Sequence, residues 1–156
     1  MTSFYMFISS DDSKIFHTNN KYYDFIVELG RTYQFLDNSP WRSKNQWFVA
    51  LQDINLQSNK KDDDLSLIDD IIVSCDFIVP SFVKGTELRI LRQVTLNENA
   101  QLDTINHPYY MQVNRTHFSN IKITLLDKNL QRLSVGNNWP EGEQWNLSCT
   151  LHFMKM

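Results

Sequence analysis

Imidazole, thiol and carboxylate groups are where chemistry at neutral pH would begin, and this chain spaces them poorly for it. Its four histidines are His17, His107, His117 and His152. In "NRTHF", Arg115 stands two residues before His117, on the same side of the chain if the segment is extended, while His152 falls on the polar phase of the closing strand. Neither has a carboxylate or thiolate at the short spacing of zinc ligands. Both therefore read as surface or loop histidines, and no metal site is expected. Cys75 and Cys149 lie on the apolar phase of alternating segments, where a cysteine acts as a small hydrophobe rather than a ligand or nucleophile. No serine has a nucleophile-elbow context, no glycine-rich loop could cradle phosphate, and the paired acidic residues have no apolar pocket signal around them. No catalytic residue and no cofactor is expected.

The elements that would position any site are strands. In "WNLSCTLHFMKM", Trp145, Leu147, Cys149, Leu151 and Phe153 share one phase, and a period of two is the mark of a strand with one buried face. "SFYMFIS" puts Phe4, Met6 and Ile8 in phase, and "YDFIVELG" does so with Tyr23, Phe25, Val27 and Leu29. "QWFVALQDINL" is apolar on both phases, as a strand covered on both faces would be. "DIIVSCDFIVP" alternates up to Pro80; "TELRILRQVTL" follows a turn at Lys84-Gly85; then come "HPYYMQVNR" and "NIKITLLD". That makes eight strands. In "NKKDDDLSLIDDII", Leu65, Ile68 and Ile72 suggest one turn of helix. The charge run within it, "KKDDDLSLIDD", reads as a solvated loop, since no turn glycine organises it for calcium.

Composition agrees. The chain has 156 residues, 42% of them hydrophobic and 13% aromatic, with only four Gly and four Pro. That length suits one domain covering residues 1–156, able to bury about two-thirds of its unfolded surface. No sequence repeat or linker divides it. The expected fold class is all-β: an eight-stranded, two-sheet antiparallel sandwich, a single jelly roll, with an eight-stranded barrel as the lesser alternative. In a jelly roll the first and last strands lie side by side. The net charge of -3, with Lys and Arg scattered singly, gives no footprint for nucleic acid. No apolar run approaches the roughly 20 residues of a membrane helix. The opening "MTSFYMFISSDDSK" lacks the basic start and apolar centre of a secretory signal, so residence inside a cell is expected. The sequons at Asn114 and Asn146 then read as chance.

Aromatics outside the alternating sets, Trp41, Phe82, Tyr109, Tyr110 and Trp139, are either lids on the sandwich or anchors of a subunit interface. "FYMFISSDD" with an Asn-Asn turn and "YDFIVELG", then "QWFVALQDI", "CDFIVP", "LRIL", "HPYYMQV", "IKITLLD" and the terminal "LHF", taken in that order, resemble the small penton, or minor capsid, proteins of Polinton/Maverick elements and their adintovirus relatives. Leu130 stands where that family has a glycine in a turn. The resemblance implies a single jelly roll, five copies of which close each fivefold vertex of an icosahedral shell assembled in the host nucleus. The partners it implies are a homo-pentamer and a double jelly-roll major capsid protein, with a vertex fibre or spike as a further candidate. The rival reading is a β-sandwich module of fibre-head or lectin type that binds a receptor or carbohydrate, and the least favoured is a hydrolase on a sandwich.

Cys75 and Cys149 are expected to be buried and reduced. A thiol reagent should label both only after denaturant is added, and fast labelling of the native protein would contradict their place in the core.

Overall fold

The two ends of the chain meet. In a computed structural model that describes residues 3–34, 46–58, 70–95, 105–115, 117–133 and 145–156, β1 (Ser3–Ser9) runs antiparallel to β10 (Trp145–Lys155). Phe4 stands opposite Phe153, Met6 opposite Leu151 and Ile8 opposite Cys149, so the apolar phases of the two strands share one face. The other edge of β10 takes β3 (Trp47–Ser58), which takes the short β8 (Met111–Gln112), giving the order β1-β10-β3-β8. The second sheet is built from β2 (Asp24–Gln34), β9 (His117–Leu126), β4 (Asp70–Cys75) and β7 (Ile90–Thr95), in the order β2-β9-β4-β7.

Numbering only these eight sandwich strands along the chain, the first pairs with the eighth, the second with the seventh, the third with the sixth and the fourth with the fifth. This is one long antiparallel ribbon rolled into two sheets, the jelly roll expected from the alternation. The additional pair, β5 (Ser81–Val83) and β6 (Thr86–Leu88), is a separate hairpin. Lys84 at φ 50° and Gly85 at φ 76° make its two-residue turn, since positive φ at both positions matches the twist of the flanking strands.

Three sequence expectations change in detail. "TELRILRQVTL" is two strands, because Thr86–Leu88 pairs with β5 before Ile90–Thr95 enters the second sheet. "DIIVSCDFIVP" leaves its sheet after Cys75, and only Ile78 makes a further bridge, to Val113. The double-phase β3 is explained by a bulge: Leu51 faces Leu151 and Asp53 faces Thr150, so Gln52 is an extra residue. It shifts the phase, and Val49 and Leu51 before it and Ile54 and Leu56 after it all reach the core. The helical turn suggested at 59–72 falls outside the described residues up to position 69, and Asp70, Ile71 and Ile72 belong to β4.

Two aromatic groups bridge the sheets near opposite ends of β10. Phe153 stacks on Phe4 at 4.7 Å and meets Phe77 at 5.6 Å and Phe118 at 5.9 Å, so one ring contacts partners from both sheets. Trp145 packs against Tyr22, whose buried phenol is pushed far above its ordinary pKa by desolvation. Cys75 and Cys149 are free and buried in the same core, and loss of hydration raises both thiols well above their usual range. Leu130 holds φ 65°, the left-handed region that favours glycine, in a turn where the Asp127 carboxylate accepts from the Asn129 and Gln131 amides at 2.8 and 3.0 Å.

The chain crosses from the first sheet to the second through α1 (Ser10–Ser13), capped by Ser9. The crossing is held by polar groups. Asn146 Oδ1 on β10 accepts from Ser9 Oγ, Ser10 Oγ and the Asp11 amide, each at 3.0 Å, and the Leu147 amide donates to Ser10 Oγ at 2.9 Å. Beyond the helix, Asn20 donates to Ser13 Oγ and to the Ile26 carbonyl, and accepts from the Ile26 amide. Replacing Asn146 by Ala strands three donors in a partly buried site. We expect Asn146→Ala to cost about 1–3 kcal/mol, read as a lower urea midpoint; an unchanged midpoint would show that water substitutes for the amide.

Candidate functional site

The core consumes the inward phase of each strand, so function has to be sought on the outward phases and the edges. On the second sheet the outward phase is largely polar, with Ile26, Ile72 and Leu126 interspersed among the polar residues. Asp24 on β2 accepts from Thr124 of β9 at 3.2 Å and sits 3.1 Å from Arg132 and 3.7 Å from Lys122. Asp76 pairs with Arg115 at 3.0 Å and accepts the Lys122 amide.

The first sheet presents aromatics. Tyr5 on β1 lies opposite His152 on β10, which lies opposite Ala50 on β3. The Tyr5 ring stacks on the imidazole at 4.3 Å and 10°. From the other side Tyr110 brings its hydroxyl to 2.7 Å from His152 Nδ1, and Ala50, fully buried beneath, is small enough to leave room for that reach. His152 is thereby only 9% exposed, which corrects its expected place on the open surface. The strand phase points it outward, but two rings, one of them 42 residues away in sequence, cover it. Desolvation lowers its pKa below the ordinary 6.5, so at neutral pH the ring is neutral, and the tautomer sets whether Nδ1 accepts from or donates to the Tyr110 hydroxyl. Burial, with a smaller contribution from Tyr5, raises the Tyr110 phenol.

Exposed apolar side chains gather at both flanks of the sandwich. One flank is where the edge strands β1 and β2 lie, joined by α1 and the turn after it; here Ile15 and Phe16 are 79% and 68% exposed, with Phe7 also exposed on β1. Phe16 stands beside an open hollow of about 580 Å³ that it shares with Glu28, Gly30 and Ser119. His17 in the same turn meets Glu28 at 2.8 Å. The other flank is where β7 and β8 are the edge strands. A groove of about 500 Å³ lies between these strands and the β5–β6 hairpin, lined by Val83, Ile90, Leu91, Arg92, Tyr109 and Met111 among others.

Of the five aromatics proposed from sequence, Tyr109 lines this groove and is exposed. Phe82 is exposed but alternates with Ser81 and Val83, so it occupies the opposite face of the hairpin from the groove. Tyr110 is half-buried over His152, on the outer face of the first sheet. Trp41 and Trp139 lie outside the described residues. Sequence reasoning missed Tyr5, Phe7, Ile15 and Phe16. For the first two a signal existed, since "SFYMFIS" is apolar on both phases although its strand is an edge. Among the described residues no group of three or more His, Cys, Asp or Glu could hold a metal ion, and no helix is long and apolar enough to cross a membrane.

No protein-family model matches this sequence, and no curated protein matches it. Among solved structures, the crystal structure of selenomethionine-labelled mavirus penton protein is similar in fold, with a TM-score of 0.54 and 8% sequence identity, over 99% of this chain and 100% of that one.

The covered imidazole has a consequence for stability. Because the folded pKa of His152 lies below the unfolded value, the unfolded chain binds the proton more readily, and stability that is full above about pH 6.5 falls as pH drops through and below that value. Denaturant titrations between pH 7.5 and 5 should show this decline, and a His152→Phe variant should show less of it; equal slopes in both proteins would remove His152 as the cause.

Proposed function

We propose that the chain, taken over residues 1–156 as one jelly-roll domain, is a structural component of a viral capsid: a penton whose five copies close the fivefold vertices of an icosahedral shell. The observation that carries this reading is the end-to-end match of its rolled ribbon to a penton protein, with almost all of both chains covered. A fold shared at 8% identity hosts many functions, so the surfaces have to agree as well. They do so in one respect that matters for a ring. Closed rings need heterologous contacts, in which one patch of each subunit meets a different patch of the next. The exposed apolar residues lie on two distinct flanks, Ile15 and Phe16 on one, Tyr109 and the β7–β8 groove on the other.

The partners in this reading are four further copies of the chain and the double jelly-roll major capsid protein around the vertex, with a fibre or spike as a further candidate. The role is structural, its place is the capsid vertex, and assembly takes place in the host nucleus. The resemblance to Polinton/Maverick and adintovirus pentons and the largely polar outer face of the second sheet both suit a shell component that must contact neighbours and solvent.

Native mass measurement or sedimentation should give an assembly of five subunits, and electron microscopy of particles should place the chain at the fivefold vertices. A stable trimer in solution would overturn the penton and favour a receptor-binding head. Density for the chain only at other positions would overturn it equally, whatever the state in solution.

A further inference from the structure

We propose that the contact which closes the ring is a knob entering a groove: Ile15 and Phe16 of one copy seat between the β5–β6 hairpin and β7 of the next, with Asp12 facing Arg92. This rests on the ring reading above and names the surfaces that would build it.

The knob is preformed. Its turn follows the capped α1, where the Phe16 and His17 amides donate to the Ser13 carbonyl at 3.3 and 3.1 Å and the Asn20 amide donates to the His17 carbonyl at 3.0 Å. Ser13 and Asn20, both buried, anchor the turn from below. Two large apolar side chains held outward on a fixed backbone dock without a further cost of ordering the turn, so only their own rotamer freedom offsets the burial. Among the described residues, the groove of the same copy is at the opposite flank of the sandwich, so these side chains would meet the groove of another copy.

The groove fits in size and chemistry. Its volume of about 500 Å³ is in the range of pockets that enclose a drug-sized molecule, and Val83, Ile90, Leu91 and Met111 supply apolar walls. Charge is complementary as well. Arg92 reaches across the groove mouth to the His107 carbonyl at 2.7 Å, and Arg89 donates to the Ile78 carbonyl; among the described residues neither guanidinium pairs with a carboxylate. Lys84 adds a third cation at the hairpin turn, against Glu87 alone on the hairpin, while Asp70 of β4, opposite the far end of β7, is held by Thr95 and Gln93. On the knob, Asp11 is matched by Lys14 at 2.8 Å, whereas exposed Asp12 has no cation partner among the described residues. A second copy therefore brings a carboxylate beside a phenyl ring to a groove with a guanidinium beside apolar walls, and among the described residues neither charge is met by an opposite one.

Disulfide trapping in the full chain tests this. The native thiols at positions 75 and 149 are buried and do not compete. A Phe16→Cys, Val83→Cys double variant, oxidised at high protein concentration, should give a ladder of linked subunits ending in a closed five-subunit species, while each single variant gives at most dimers. As an independent check that leaves the apolar residues intact, Asp12→Arg and Arg92→Asp should each weaken association by about fivefold to tenfold, and their combination should restore most of it. A wild-type assembly of five with no linkage in the double variant and no rescue by charge exchange would overturn the knob and groove while leaving the ring. A closed linked trimer would keep the contact and overturn the ring of five. Absence of both association and linkage would overturn both.

Discussion

Everything in this fold depends on the last strand lying beside the first. β10 has β1 on one edge and β3 on the other, so it is an interior strand although it is made of the last residues of the structure. Once Phe4 is opposite Phe153 and Ile8 opposite Cys149, the second strand can meet only the seventh of the sandwich and the third only the sixth, because the ribbon is continuous. The nested order of pairing thus runs through both sheets, while bulges such as the one at Gln52 shift the register along the way. The pairing joins residues more than a hundred positions apart, the kind of non-local contact that raises contact order and slows folding. The Asn146 hub sits where this pairing ends and the crossing begins, and ties the first turn of α1 to the start of β10.

The sandwich divides its duties by side-chain phase. Inward positions are aliphatic and aromatic, and Phe153 stacks with rings from both sheets where a layer of small residues would leave a void. Outward positions differ between the sheets: ion pairs around Asp24 and Asp76 on one, a row of Tyr5, His152 and Tyr110 on the other. The row shows how a sheet buries a polar group on its solvent side. A cross-strand neighbour stacks over it, and a small residue, Ala50, makes space for its hydrogen-bond partner.

In the capsid reading proposed above, the flanks would matter more than the faces. A protein that holds neighbours would need distinct, complementary edges rather than convergent polar groups, and the exposed pair after α1 and the groove beside the hairpin are the candidates for them. The likeness to a mavirus penton protein at 8% identity concerns the ribbon and its rolling. Assembly specificity would be written in residues such as Asp12, Phe16 and Arg92, which the fold leaves free to vary.

The sequence by itself determined the class of the fold, because a period of two in "SFYMFIS", "YDFIVELG", "NIKITLLD" and "WNLSCTLHFMKM" is a local property that each segment carries whatever its partner. It likewise placed Cys75 and Cys149 in the core by their phase along a strand, and singled out Tyr109 as an aromatic outside the alternating sets. Tertiary structure decided the rest. The bulge at Gln52 reverses the phase of β3 because of the strand it pairs with, and no residue of "QWFVALQDINL" announces it. His152 is buried because Tyr5 and Tyr110 arrive from distant parts of the chain, and Phe82 is turned away from the groove because a two-residue hairpin sets its face. Ile15 and Phe16 read as ordinary apolar residues until the nested pairing places their turn, exposed, on the flank where the edge strands β1 and β2 lie. Periodicity reports which face of a strand is buried; which neighbour covers the other face depends on long-range pairing, which the local pattern does not encode.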